Sequence, residues 1–144
     1  MATEVHFYHN TPDRLAAACR IAARALKGSR RLAVRIPDRE LGARFDELLW
    51  TFDERSFVPH VGVGSPLAGE TPIVIGDGLG EWPHHDVLLN LGDDLPLEFE
   101  RFAMLMEVVS ADDEARAAAR DRWRSYQSRG LAPIPHDLAG RERS

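Results

Sequence analysis

Two short runs, Pro72-Ile73-Val74-Ile75 and Val87-Leu88-Leu89-Asn90, constrain the fold of this chain more than any other feature. Both are brief and nearly all apolar. A strand with one wet face alternates apolar and polar residues, so runs like these read as strands covered on both faces. Strands of that kind belong to parallel sheets packed between helices.

The N-terminal part supplies the rest of the pattern. Val5-His6-Phe7-Tyr8 alternates and reads as a first strand. Asn10-Thr11-Pro12-Asp13 offers a cap and a proline suited to a first helical turn. Leu15, Ala18, Cys19, Ala22, Ala25 and Leu26 then recur at helical spacing, and Gly28 follows Lys27 as a stop. Arg31 to Ile36 reads as a second strand. Pro37-Asp38 opens a helix with Leu41, Phe45, Leu48 and Leu49 on one side. This β-α-β-α opening predicts an α/β fold with a three-layer arrangement, a mostly parallel central sheet flanked by helices. Leu95 to Arg101 reads as a short helix and Leu105 to Val109 as a last strand. A long final helix opens on Asp112-Asp113-Glu114, acids that complement its dipole, and ends near Arg129 with Gly130 as its cap. No repeat or linker interrupts the chain. We read residues 1–140 as one domain and 141–144 as a frayed polar tail.

Composition narrows the class of function. No apolar run approaches the roughly 20 residues of a membrane-spanning helix, and the first residues lack a signal-peptide pattern. The single cysteine, Cys19, lies within an apolar helical pattern and reads as a buried thiol in a reducing cytoplasm. The net charge of −5 disfavours a protein that coats DNA through its phosphates. Charge is unevenly spread, however. Residues 66–107 hold nine acids against Arg101 alone, whereas residues 116–129 hold five arginines against Asp121 alone. A basic site near the C-terminus of an acidic protein suits a specific anionic partner.

Candidate chemical sites were weighed against plainer readings. The turn after the first strand, His9-Asn10-Thr11-Pro12, has no glycine where a phosphate loop or dinucleotide fingerprint belongs. The glycine-rich stretch Gly62 to Gly69 lacks a following Lys-Ser/Thr and leads toward a strand, which favours a surface loop. His84-His85-Asp86 reads as a polar turn into the Val87 strand rather than a metal site, because neighbours on a strand point to opposite faces. Ser56 and Ser65 have histidines near them only along the chain, and no nucleophile elbow occurs. No catalytic residues, metal ligands or cofactor are assigned. A nucleotide-using α/β enzyme, binding at the carboxyl ends of the strands, stands as the alternative.

The final helix carries the one pattern with chemistry. Arg116, Arg120 and Arg124 are spaced four apart and form a stripe, with Trp123 at its border. An aromatic ring flanked by guanidinium groups can hold a carboxylate-rich peptide with an apolar residue. A solvated helix face with Trp123 half-buried in the core fits the same pattern equally well.

Several stretches together resemble one family. They are Phe7-Tyr8, Phe45-Asp46-Glu47-Leu48-Leu49-Trp50, Ser56-Phe57-Val58-Pro59-His60, the Pro72 to Ile75 strand, Leu88-Leu89-Asn90-Leu91, Glu107-Val108-Val109, and Ala119 to Tyr126 with Gly130. In order and spacing, from about residue 5 to residue 131, the chain resembles the chi subunit of bacterial DNA polymerase III. The resemblance implies a nucleotide-binding-like topology without a phosphate loop, and no catalytic activity. It also implies binding of the acidic C-terminal tail of single-strand DNA-binding protein, contact with DNA only through it, and in many bacteria contact with a psi subunit that links to the clamp loader. The family's peptide-binding residues map onto Arg120, Trp123 and Arg124, with Phe57 as an apolar wall, and Arg116 extends the same stripe. Here Trp123 replaces a tyrosine and Arg124 a lysine. Gln127 stands where a further basic residue is the family pattern, and the proline-rich Leu131 to Pro135 does not align.

Overall fold

The computed structural model describes residues 2–52 and 58–139. Its strands are β1 (Glu4–Thr11), β2 (Leu32–Arg35), β3 (His60–Gly62), β4 (Ile73–Gly76), β5 (Val87–Asn90), β6 (Met104–Ser110) and β7 (Ile134–Asp137), and its helices are α1 (Arg14–Lys27), α2 (Arg39–Thr51) and α3 (Asp113–Ser128). The seven strands form one sheet in the order β3-β4-β2-β5-β6-β1-β7. Every pairing is parallel, so the sheet is parallel throughout rather than mostly so.

Strand alternation divides the interior into two cores. Leu32, Val34, Ile73, Val87, Leu89 and Val108 face α1 and α2, together with Leu15, Ala18, Ala22, Phe45 and Leu49. Val5, Phe7, Ala33, Leu88, Leu105 and Val109 face the other way, onto Ala119 and Tyr126 of α3 and onto Phe99 and Phe102. Helices on both faces explain why β2 and β5 are buried at all four positions. Small residues let α1 lie close: Ala18, Cys19 and Ala22 are fully buried. Burial pushes the Cys19 thiol up to about 12, which makes it inert.

The helix starts follow local chemistry. Asp13 Oδ1 accepts from Ala16 N at 3.1 Å, and Asp38 and Asp112 cap α2 and α3 in the same way. Asn10 and Thr11 belong to β1 rather than to a cap, and Pro12 precedes the N-cap instead of entering the first turn. Leu95 to Arg101 is not a helix beyond a single 3-10 turn at Phe99–Arg101. Two strands were not foreseen, β3 and β7, both short edge strands. Of the glycine-rich stretch, Gly62 ends β3 and the remainder is turn, without a helix to follow. The 141–144 tail lies outside the described residues, as do Ser56 and Phe57.

The turn before β5 is held by Asp86, which takes a bidentate pair from Arg30 at 2.7 and 2.9 Å and a bond from Arg31 N at 3.0 Å. Its neighbour His84 is buried with neither ring nitrogen bonded to a described residue. Burial, reinforced by Arg31 and His85, pulls its titration down to about 4. The unfolded chain therefore takes up this proton first as pH falls from about 6.5 toward 4, and stability falls with it. Denaturant titrations across that window are expected to show His84→Leu removing part of the acid loss, on the order of 2 kcal/mol.

Candidate partner-binding site

The final helix is fixed in its roll by a buried charge. Glu107 projects from β6 beneath α3 and is fully buried. It accepts from Arg122 Nε at 3.0 Å, Tyr126 Oη at 2.6 Å and Asn90 Nδ2 at 2.9 Å. Burial pushes the carboxyl's titration up, while the Arg122 cation and the donors from Tyr126, Arg122 and Asn90 hold it down. Arg122 also donates to the Asp93 carbonyl at 2.7 Å. With Ala119, Arg122 and Tyr126 turned inward, Arg116, Arg120 and Arg124 are exposed, the first two along the flank that meets the β1–β7 edge. The sequence reading missed Arg122, although Glu107 was the clue: an acid inside an apolar strand needs a cation.

Between α3 and the β1–β7 edge lies an open cavity of about 310 Å³. Arg116, Ala119, Arg120 and Trp123 line it from α3, Phe7, His9 and Asn10 from β1, Val109 from β6 and Pro135 from β7. Trp123 is half-buried and packs on Phe7, ring centroids 5.0 Å apart. It is thus both the core residue of one reading and the pocket wall of the other. Arg116 Nη2 donates to Asn10 Oδ1 at 2.7 Å. Arg120 forms no hydrogen bond or ion pair with any described residue.

A bulge in β1 builds the opposite wall. Tyr8 pairs with Val108 but Thr11 with Ser110, so β1 holds one extra residue there. Asn10 absorbs it with φ at 68°, a left-handed conformation that asparagine tolerates. Without the bulge, His9 and Asn10 would point to opposite faces. With it, both line the cavity.

Arg124 is not among the lining residues. Its Nη1 lies 3.9 Å from Asp121 Oδ1 at an exposed position. Helical spacing put three arginines in one stripe, but the cavity receives two. Phe57 lies outside the described residues, and its described neighbours Phe52 and Val58 pack in the core under α1 and α2, across the sheet from α3. The motif containing these residues has its own structural logic. His60 is buried, bonded to the Val58 carbonyl at 2.7 Å, 3.1 Å from Asp46 and packed against a tilted Trp50 ring at 4.7 Å between centroids.

Open α/β sheets commonly hold ligands at the carboxyl ends of their strands; here the ends of β2 and β5 are filled by the chain itself, while an open cavity of about 330 Å³ lies past β6, between Arg14, Asp93, Ser110 and Asp112. Arg35 donates to Asn90 at 2.9 Å and Asp94 at 2.8 Å. A Cβ at Gly92 would overlap its guanidinium, and one at Gly78 would come within 2.9 Å of it. No group of three or more metal-binding side chains occurs among the described residues. Stability measurements are expected to separate the arginines of α3. Arg122→Ala should cost about 3 kcal/mol by stranding Glu107, whereas Arg120→Ala and Arg124→Ala should stay within about 0.5 kcal/mol.

Comparison with known proteins agrees with this architecture. Residues 2–133 match the family described as DNA polymerase III chi subunit, HolC. The chain is 32% identical over 145 residues to DNA polymerase III subunit chi of Pseudomonas aeruginosa, covering 94% of this chain and 97% of that one. It is 28% identical to the subunit chi of Escherichia coli, over 78% of each chain. The subunit chi of Haemophilus influenzae is likewise 28% identical, over 78% of this chain and 79% of its own. The chain therefore belongs to the DNA polymerase III chi subunit family, a replication accessory subunit.

Proposed function

We propose that this protein is a non-catalytic adaptor of the polymerase III holoenzyme and that the cavity beside α3 captures the acidic C-terminal tail of single-strand DNA-binding protein. The observation that carries the reading is Arg120, an exposed cation without a carboxylate partner among the described residues, set beside a half-buried Trp123 in an open pocket. An acidic tail ending in an apolar residue meets both features. Its carboxylates pair with Arg120 and Arg116, the latter exchanging its bond to Asn10, and its apolar side chain lies against Trp123 and Phe7. Arg124, farther along the helix, offers rim charge that steers approach.

Contacts of this kind at an open surface are screened, so the affinity belongs in the micromolar range and weakens with salt. Many tails on a coated DNA strand would raise the effective affinity without direct contact between this acidic chain and DNA. A psi subunit or another clamp-loader component is the further partner in this reading, and the cytoplasm is its location. Among the described residues no helix is long and apolar enough to cross a membrane. The nucleotide-enzyme alternative has less room at β2 and β5, whose carboxyl ends Arg35 and its partners occupy, and the open cavity past β6 is lined by Asp93, Asp112 and Glu114, acids that repel a phosphate.

Fluorescence anisotropy with a labelled acidic tail peptide tests the reading. Arg120→Ala and Trp123→Ala are each expected to weaken binding about tenfold or more, the scale of a lost charge-assisted bond or aromatic anchor. Arg124→Ala is expected to stay within about threefold, being a rim charge, and Phe57→Ala to weaken binding if it supplies the apolar wall that the family resemblance implies. No binding by the wild type at low salt would remove the proposal.

A further inference from the structure

His9 is a pocket residue that neither the charge stripe nor the family pattern points to. It stands at the carboxyl end of β1, on the wall facing α3. Its ring makes no hydrogen bond, ion pair or ring contact with a described residue, although the backbone around it is held: Leu138 N donates to the His9 carbonyl at 2.9 Å. The bulge at Asn10 fixes the side chain's direction. An unengaged imidazole thus shares one cavity with Arg116 and Arg120.

We infer that His9 is a third cationic contact for the bound peptide, so that capture is coupled to uptake of one proton at its imidazole. The inference rests on the peptide-binding reading above. Two of the charged groups around His9 are cations, which repel an imidazolium until the ligand's carboxylates offset them. Arg116 and Arg120 face it from α3. Asp137 sits at its register position on β7, with Oδ1 taken up by Asn10 Nδ2 at 3.3 Å and Ala139 N at 2.8 Å. From β6 the apolar Val109 faces the pocket, and the deeper Glu107 is closed off by its own three donors. His6 and His136, bonded to each other at 2.7 Å, lie on the other face of the sheet with Tyr8. Carboxylates entering the pocket favour an imidazolium there, adding charge-assisted bonding that a neutral ring does not supply.

The sign follows from linkage. A ligand that favours the protonated form binds more tightly as pH falls through the histidine range and is indifferent to pH above it. The peptide's own acids protonate only lower, near pH 4, and His84 also titrates at about 4, so neither confounds the window.

The test is the same anisotropy titration, with an acidic peptide ending in a free-carboxylate phenylalanine, run from about pH 8 to about pH 6 at constant salt. Wild type is expected to bind about fivefold to tenfold more tightly at the lower pH. His9→Gln should bind nearly equally at both, close to the wild-type value at high pH, while His136→Gln keeps the wild-type slope. Binding without pH dependence, or a slope that survives in His9→Gln, overturns the inference while leaving the peptide reading intact. No binding at either pH removes the peptide reading and this inference with it.

Discussion

A single buried carboxylate organises the half of this protein that α3 covers. Glu107 stands in a strand whose neighbours are apolar, and its burial is tolerable only because Arg122, Tyr126 and Asn90 together satisfy it. Two of those donors lie on α3, one turn apart, and so they fix which side of the helix faces the sheet. Everything exposed on α3 follows from that choice. Of the three buried residues of α3 only Ala119 and Tyr126 offer apolar contact, too narrow a stripe to fix the helix's roll. The ion pair removes that freedom.

The same network closes the place where a sheet of this topology would usually bind a small molecule. Arg35, Asn90 and Asp94 occupy the carboxyl ends of β2 and β5, and Gly78 and Gly92 leave the space the guanidinium needs. With the ends of β2 and β5 filled by the protein's own side chains, open cavities remain past β6 and at the seam between α3 and β1, and only the seam joins an aromatic ring to two arginines. That seam is built from apolar walls, guanidinium charge and one imidazole. That lining is what the peptide-capture proposal rests on.

Much of the architecture was legible because burial on both faces leaves a direct mark on sequence. The runs at Ile73 and Val87 are strands for the reason their composition suggests, and the aspartates at 13, 38 and 112 cap helices by bonds any short acidic side chain can make. The edge strands were missed because β3 and β7 bury little and pair on one side only, so no apolar periodicity marks them. The short helix expected at Leu95 is a 3-10 turn at Phe99–Arg101, because Glu98 takes a left-handed φ of 56° that interrupts any helix before it, although Phe99 is buried. In the candidate site, spacing identified Arg116, Arg120 and Trp123 but overextended the stripe to Arg124, because helical geometry says which residues share a face and not where the neighbouring wall ends.

The sequence by itself determined the alternation of strands and helices, the acidic body with a basic final helix, and the family to which the chain belongs. Those are local or cumulative properties, written in periodicity, capping residues and motif order. Tertiary structure alone decided that Arg122 is buried while its neighbours are not, that Arg35 fills the crevice, and that His9 and Asn10 meet Arg116 and Arg120 across a pocket. Each of these joins residues tens of positions apart through strand register, and in the last case through one extra residue in β1. A side chain's neighbours across a sheet depend on that register, which no local pattern records.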